Sequence, residues 1–264
     1  EKTVQFMIDE WSNGEGGFYA AYDADSLNEH NQLKEGAYYS WTKHELEQII
    51  EKEDFPLFKD VFNINNDGYW EDDVYVLIQT ESVEEIASRH SLPLNELVEK
   101  KWEELLRNRR SMRAKPRLDD KTLTSWNALL IIGLLDAYTA LDNKDYLFLA
   151  ERINQFIHDK LLKEQKLKHT YKNEIAGIEG FLEDYACYIA ALIALYEHTL
   201  ETSYLLKSKE LTDYVIEHFL DSKSGFFFFN NKEFTTVLHN SVEIEDGVIP
   251  SANSQMANNL LKLG

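Results

Sequence analysis

A chain of 264 residues with 44% hydrophobic side chains can bury a sizeable core, which excludes intrinsic disorder. A formal net charge of −20 repels a phosphate backbone, and the single cysteine, Cys187, forms neither an intrachain disulfide nor a Cys-rich zinc site. A cytoplasmic protein that binds no nucleic acid is predicted.

The opening segment, through Phe6, reads as an amphipathic helix that begins in mid-pattern, and the last residues stop inside another, so a piece of a longer polypeptide is expected. Next comes Gly16-Gly17-Phe18-Tyr19-Ala20-Ala21-Tyr22-Asp23-Ala24-Asp25-Ser26, whose aromatic run predicts a strand over 18–23. Strand alternation carried through Asp23 and Asp25 aims both carboxylates one way. The other reading is a turn in which they bond their own backbone. A second strand is expected over 37–41.

Helix signals then cluster into an insertion over 42–117: capping-box pairs Thr42 with Glu45 and Ser82 with Glu85, and an amphipathic stretch from Leu94 to Leu106. Asn63-x-Asn65-x-Asp67-Gly68 imitates a calcium loop, but Val74 stands at the twelfth position where a bidentate Glu belongs, so a turn is expected and no metal. The basic run from Arg107 to Arg117, including Arg109, Arg110 and Arg113, reads as the solvated end of a helix.

Beyond the insertion the chain repeats itself. Tyr146 and Phe156 on one amphipathic helix recur 58 positions later as Tyr204 and Tyr214 on another. The preceding segments, 123–141 and 181–199, match at the same offset and are apolar nearly all round, so each unit pairs an enclosed inner helix with an amphipathic outer one. A third inner helix starts at Ser251. Inner-to-outer links are short and outer-to-inner links long, which places all long loops on one face. The apolar stretches 128–135 and 185–196 fall short of the ~18 residues of a membrane span, so no membrane association is expected.

The polar clusters precede or open these inner helices: Asp119 and Asp120 with Trp126 and Asn127, then Glu183, Asp184 and Tyr185, then Ser251 and Asn253. Helix N-termini stabilise such groups, and simple capping is the bland reading, above all for Ser251 and Thr122. Several converging acids exceed what capping requires. Aromatic faces beside carboxylates suit a sugar, with Asp23 and Asp25 on the same face, and paired carboxyls can act as acid and base. Histidines show no zinc spacing; His158, His198 and His218 read as packing residues on helix flanks, and His239, in the long loop before Ser251, as structural. Cys187 reads as a small apolar core residue.

Gly16-Gly17-Phe18-Tyr19 through Ser26, Leu118-Asp119-Asp120-Lys121 through Asn127, Leu182-Glu183-Asp184-Tyr185-Ala186 and Pro250-Ser251-Ala252-Asn253-Ser254 occur in this order. With them the chain resembles the C-terminal helical region of the thioredoxin-domain-containing spermatogenesis-associated protein 20 family. Ala128 and Ala252 stand where that pattern has glycine. The resemblance implies an all-α, (α/α)6 toroid similar to N-acylglucosamine 2-epimerases and six-hairpin glycosidases, here a partial toroid with small β-hairpins in the outer-to-inner loops. The family's N-terminal thioredoxin-like domain is absent from the sequence, which has no Cys-x-x-Cys, and that domain is the expected partner in the full-length protein. Residues 1–264 would be a fragment of one toroid domain.

A carbohydrate-active or carbohydrate-binding domain is therefore expected. Its catalytic candidates are Asp119, Asp120, Glu183 and Asp184, with Asp120 and Asp184 as the first pair. Its substrate-binding candidates are Asp23, Asp25, Trp126, Asn127, Tyr185, Ser251 and Asn253. Neither metal nor cofactor is expected. An epimerase is disfavoured because no inner-helix start carries a histidine. The competing expectation is a non-catalytic scaffold, which acids locked in ion pairs with Lys121 or Arg117 would favour. Uncovered inner helices predict self-association through the toroid edges.

Overall fold

A computed structural model describes residues 1–233 and 241–264; His239 lies outside the described residues. The helices, in chain order, are α1 (Lys2–Trp11), α2 (Lys43–Ile49), α3 (Phe55–Val61), α4 (Val83–Arg89), α5 (Leu94–Glu99), α6 (Trp102–Arg110), α7 (Thr124–Leu141), α8 (Lys144–Phe156), α9 (Leu182–Thr199), α10 (Thr202–Phe219) and α11 (Ala252–Leu263). The strands are short: β1 (Ala21–Tyr22), β2 (Asp25–Leu27), β3 (Leu33–Glu35), β4 (Trp41–Thr42), β5 (Val74–Tyr75), β6 (Leu118–Asp119), β7 (Thr122–Leu123), β8 (Leu162–Lys163), β9 (Lys166–Lys172) and β10 (Ile175–Glu179). The fold is mostly helical, in two compact units: residues 1–21 with 119–264, and residues 22–118.

In the first unit the 58-residue repeat is drawn in the helices themselves, since α7 and α9 begin at 124 and 182, and α8 and α10 at 144 and 202. Both inner helices end in the left-handed region, at Asp142 (φ 50°) and Leu200 (φ 60°), whose N–H groups bond Tyr138 and Tyr196 carbonyls. That cap turns each inner helix straight into its outer partner. Inner helix α9 packs against α7, α10 and α11, and Tyr188, Ile189, Leu192 and Leu195 are sealed inside it. Its neighbour α7 is less enclosed than its composition predicts. Trp126, Gly133, Asp136 and Ala140 are exposed, because the helices that pack most closely on α7 among the described residues, α8 and α9, cover its other flanks. This 18-residue helix extends past the apolar run read from sequence and, by length and mean hydropathy of 1.2, could cross a membrane.

The stretch 162–178, one of the long outer-to-inner links in which small β-hairpins are expected, is largely a hairpin. Strands β9 and β10 are joined by Asn173 and Glu174, both left-handed (φ 50° and 62°), which suits the tight two-residue turn of a twisted pair. Strand β7 pairs with β9, Thr122 opposite Tyr171, and so lays the hairpin beside the start of α7. The 18–23 strand forms only at its end, as β1. Phe18 instead makes an isolated bridge to Ser12, and Phe227 makes the matching one to Leu220.

The second unit takes in the 42–117 stretch around Trp41, Leu46, Phe58, Ile86 and Trp102. Ser82 and Glu85 form a full capping box; Thr42 caps α2, but Glu45 turns to Arg113 instead of completing a box. The 94–106 helix is broken at Lys101 (φ 52°) into α5 and α6. Residues 36–39 form a turn rather than a strand, because Arg113 gathers the carbonyls of Ala37, Tyr38 and Ser40 on one guanidinium nitrogen. Its guanidinium also stacks 3.9 Å over Trp41, so this member of the basic run is part of the packing and not a solvated charge. Asn63, Asn65 and Asp67 form a turn: the Asn65 side chain accepts the Asp67 N–H, and a Cβ on Gly68 would lie 2.0 Å from the Asn63 carbonyl oxygen.

Candidate functional site

The starts of the three inner helices are tied together. Asp184, three residues into the α9 start, accepts the backbone N–H of Phe181 (2.9 Å), which closes its own cap, and that of Ser125 (3.1 Å), two residues into α7. Leu182 at the head of α9 donates to the Phe229 carbonyl, and two residues earlier the Phe227 backbone is held by Asn253 at the head of α11. One buried carboxylate and one aromatic segment thus join α7 to α9 and α9 to α11.

A third donor reaches Asp184. Alternation along β9 puts Leu167, His169 and Tyr171 on one face, and the buried Leu167 and Tyr171 fix that face towards the core. His169 Nδ1 lies 2.9 Å from Asp184 Oδ2 and 3.1 Å from Oδ1, and its ring rests on Phe181 with centroids 4.8 Å apart. Asp184 is fully buried, whereas the His169 side chain keeps 22% of its surface. The hydrogen bond that the ring donates to Asp184 holds the imidazole pKa above its ordinary value against the opposing effect of burial. Ser125 Oγ, beside this pair, is buried and unpartnered among the described residues.

The acids chosen from sequence have separate fates. Asp184 is sealed beneath three donors and is the anchor of the site rather than a carboxylic acid open to substrate. Asp120 lines a cleft of about 150 Å³ with Asn13, Glu15, Thr122, Tyr171 and Lys172, and its ion pair with Lys172 (2.5 Å) lowers its pKa. That direction suits a base better than a general acid, and its intended partner Asp184 is sealed, so the two do not face a substrate as an open acid–base pair. Asp119 is paired with Lys121 at 3.1 Å, and Glu183 is half-buried within the electrostatic reach of His169.

Several binding candidates are occupied by the fold. Asn127 grips the Phe18 backbone and Asn253 that of Phe227, so neither amide is open. Tyr185 is 2% exposed; its hydroxyl accepts the Leu167 N–H, and burial pushes its pKa far up. Ser251 caps α11 through the Ser254 N–H. Trp126, 47% exposed, stays available at the start of α7. Asp23 and Asp25 belong to the second unit, where Asp23 accepts the Asp25 N–H and pairs with Arg117, as the turn reading has it. Cys187 is buried with its thiol pushed up to about 12, as befits an apolar core residue. Sequence reasoning missed His169; the alternation of Leu167, His169 and Tyr171 was the signal, obscured because Asn173-Glu174 lacks the glycine of a familiar hairpin turn.

The second unit has its own groove of about 560 Å³, lined in part by Lys34, Glu45, Asp72, Arg109 and Arg113. Its carboxylates are largely committed, Glu45 to Arg113 at 2.7 Å and Asp72 to Lys34 at 2.8 Å.

No family model matches the chain. Along 96% of its length it is homologous to an uncharacterized protein of Caenorhabditis elegans, at 33% identity over 38% of that protein. Along 98% it is homologous to spermatogenesis-associated protein 20, with 31% identity in Mus musculus and 30% in Homo sapiens, over 37% of each. The chain therefore spans little more than a third of these relatives. Solved structures similar to it include a sugar epimerase from a ruminal bacterium (TM-score 0.45, 16% identity, 55% of this chain and 39% of that one). A family 76 α-mannanase of Bacteroides thetaiotaomicron is also similar (TM-score 0.41, 18% identity, 55% and 39%).

Proposed function

Starting from its homology to spermatogenesis-associated protein 20, we propose that this chain is part of a ligand-binding α/α toroid domain that takes a carbohydrate at the mouth formed by its inner-helix starts. The observation that carries the reading is the linkage of those starts through Asp184 and the 227–229 segment, which gathers polar groups at one place. Trp126 offers an exposed aromatic face for the C–H side of a pyranose ring, and Lys121, Glu183 and His169 offer donors and acceptors for its hydroxyls. Calorimetric titration with a panel of neutral and acidic hexoses tests this. Saturable binding that weakens about tenfold or more in Trp126→Ala is expected, in line with the loss of one aromatic platform. Uniform absence of binding overturns it.

A second reading has its own observation. Asp23 with Arg117, Asp119 with Lys121 and Asp120 with Lys172 are ion pairs, the arrangement expected of a non-catalytic scaffold for a thioredoxin-like partner domain. Retention of a separately supplied thioredoxin-like domain, with no sugar bound, would favour the scaffold.

A further inference from the structure

We propose that His169 is the general base of this mouth, taking the proton of a hydroxyl on the bound carbohydrate through Nε2; the proposal rests on the carbohydrate reading above. The geometry leaves the ring one orientation. Nδ1 faces both oxygens of a carboxylate that is itself fully buried and held by two backbone N–H groups, so Asp184 cannot turn away to water. An anionic acceptor demands the proton on Nδ1, which leaves Nε2 of the neutral ring as a bare acceptor. Nε2 has no partner among the described residues and is not one of the buried unpaired atoms.

The surroundings fit the role. From α9, Glu183 and Asp184 face the ring with negative charge, and Lys121, ahead of α7, adds an opposing positive one. On β9 itself Lys168 is bound to Glu179 of β10, so it leaves the ring alone. The balance raises the imidazole pKa above its ordinary value, which makes Nε2 of the neutral ring a stronger proton acceptor. In the step, the ligand O–H bond breaks, its electron pair stays on oxygen and the proton joins Nε2. The imidazolium formed is neutralised by Asp184, and the reverse transfer restores the ring, so no further reactant is needed.

A probe independent of sugar tests the base: p-nitrophenyl acetate, whose acetyl carbon a bare Nε2 attacks with loss of p-nitrophenolate, water then cleaving the acetyl-imidazole. Release is expected to rise with pH through a single midpoint above 6.5 and to fall about tenfold or more in His169→Gln. Nitrogen-15 spectra of the unmodified chain should show neutral His169 protonated at Nδ1 only. An unchanged rate in folded His169→Gln, or a neutral ring protonated at Nε2, overturns the proposal, and the spectra of the unmodified chain decide it even where His169→Gln fails to fold. Esterase activity that depends on His169 without any sugar binding retains the base and refutes the carbohydrate. Sugar binding with a rate indifferent to His169 refutes the base alone.

Discussion

Asn127 closes two hydrogen bonds on the single residue Phe18, accepting its N–H at 2.8 Å and donating to its carbonyl at 3.0 Å. Asn253 does the same to Phe227, at 2.8 and 3.0 Å. In the middle repeat Leu167 is held instead by the Tyr185 hydroxyl and the Gly180 N–H. Each clamp fixes the strand that follows an outer helix to the start of the next inner one. Removing a clamp leaves a buried N–H and C=O unmatched, so Asn127→Ala should cost about 2–4 kcal/mol. Asn127→Asp, which keeps the acceptor and loses the donor, should cost no less, since it also buries a charge. Urea denaturation measures both, and a loss under about 0.5 kcal/mol would show the clamp to be dispensable.

Asp184→Asn keeps the size of the side chain but not the charge that two backbone N–H groups and His169 address. A loss of about 2–4 kcal/mol is expected, because a buried network is broken from its centre. The substitution should also lower the His169 pKa, read from proton spectra across pH. A pKa that stays where it was would mean that Asp184 does not set it.

The raised His169 pKa has a definite consequence for stability. The native state holds its proton more tightly than the unfolded chain does, so this contribution is complete below about pH 6.5 and disappears as pH rises through the folded value. The melting temperature of the unmodified chain should therefore decline between about pH 6 and pH 9 more steeply than that of His169→Gln. Parallel curves would contradict the assignment.

In the 22–118 unit Arg113→Lys should be far from conservative. Lysine can neither cover the Trp41 face nor serve three carbonyls and Glu45 from one planar group. A cost of about 1–3 kcal/mol is expected, seen as earlier unfolding of this unit in hydrogen exchange. Gly68→Ala should destabilise the same unit through its clash with the Asn63 carbonyl.

Much of the fold was legible in the sequence. The 58-residue offset and the start of α11 are visible in the amino acids because helical periodicity and caps depend on neighbours a few positions apart. Ser82 with Glu85 and the Asn63–Gly68 turn are local in the same sense. The gathering of α7, α9 and α11 starts also followed from loop lengths.

What only the tertiary structure decided is the state of each polar group. Asp120 and Asp184 look alike in sequence, yet one sits half-exposed on Lys172 and the other lies sealed beneath three donors. The difference comes from the β9–β10 hairpin, which supplies Lys172 and His169 from a segment whose turn chemistry did not announce it. Burial and charge pairing depend on groups that are distant along the chain, so the residue types at the inner-helix starts mark out a polar cluster, and the fold alone assigns which member is buried as its anchor and which stays exposed.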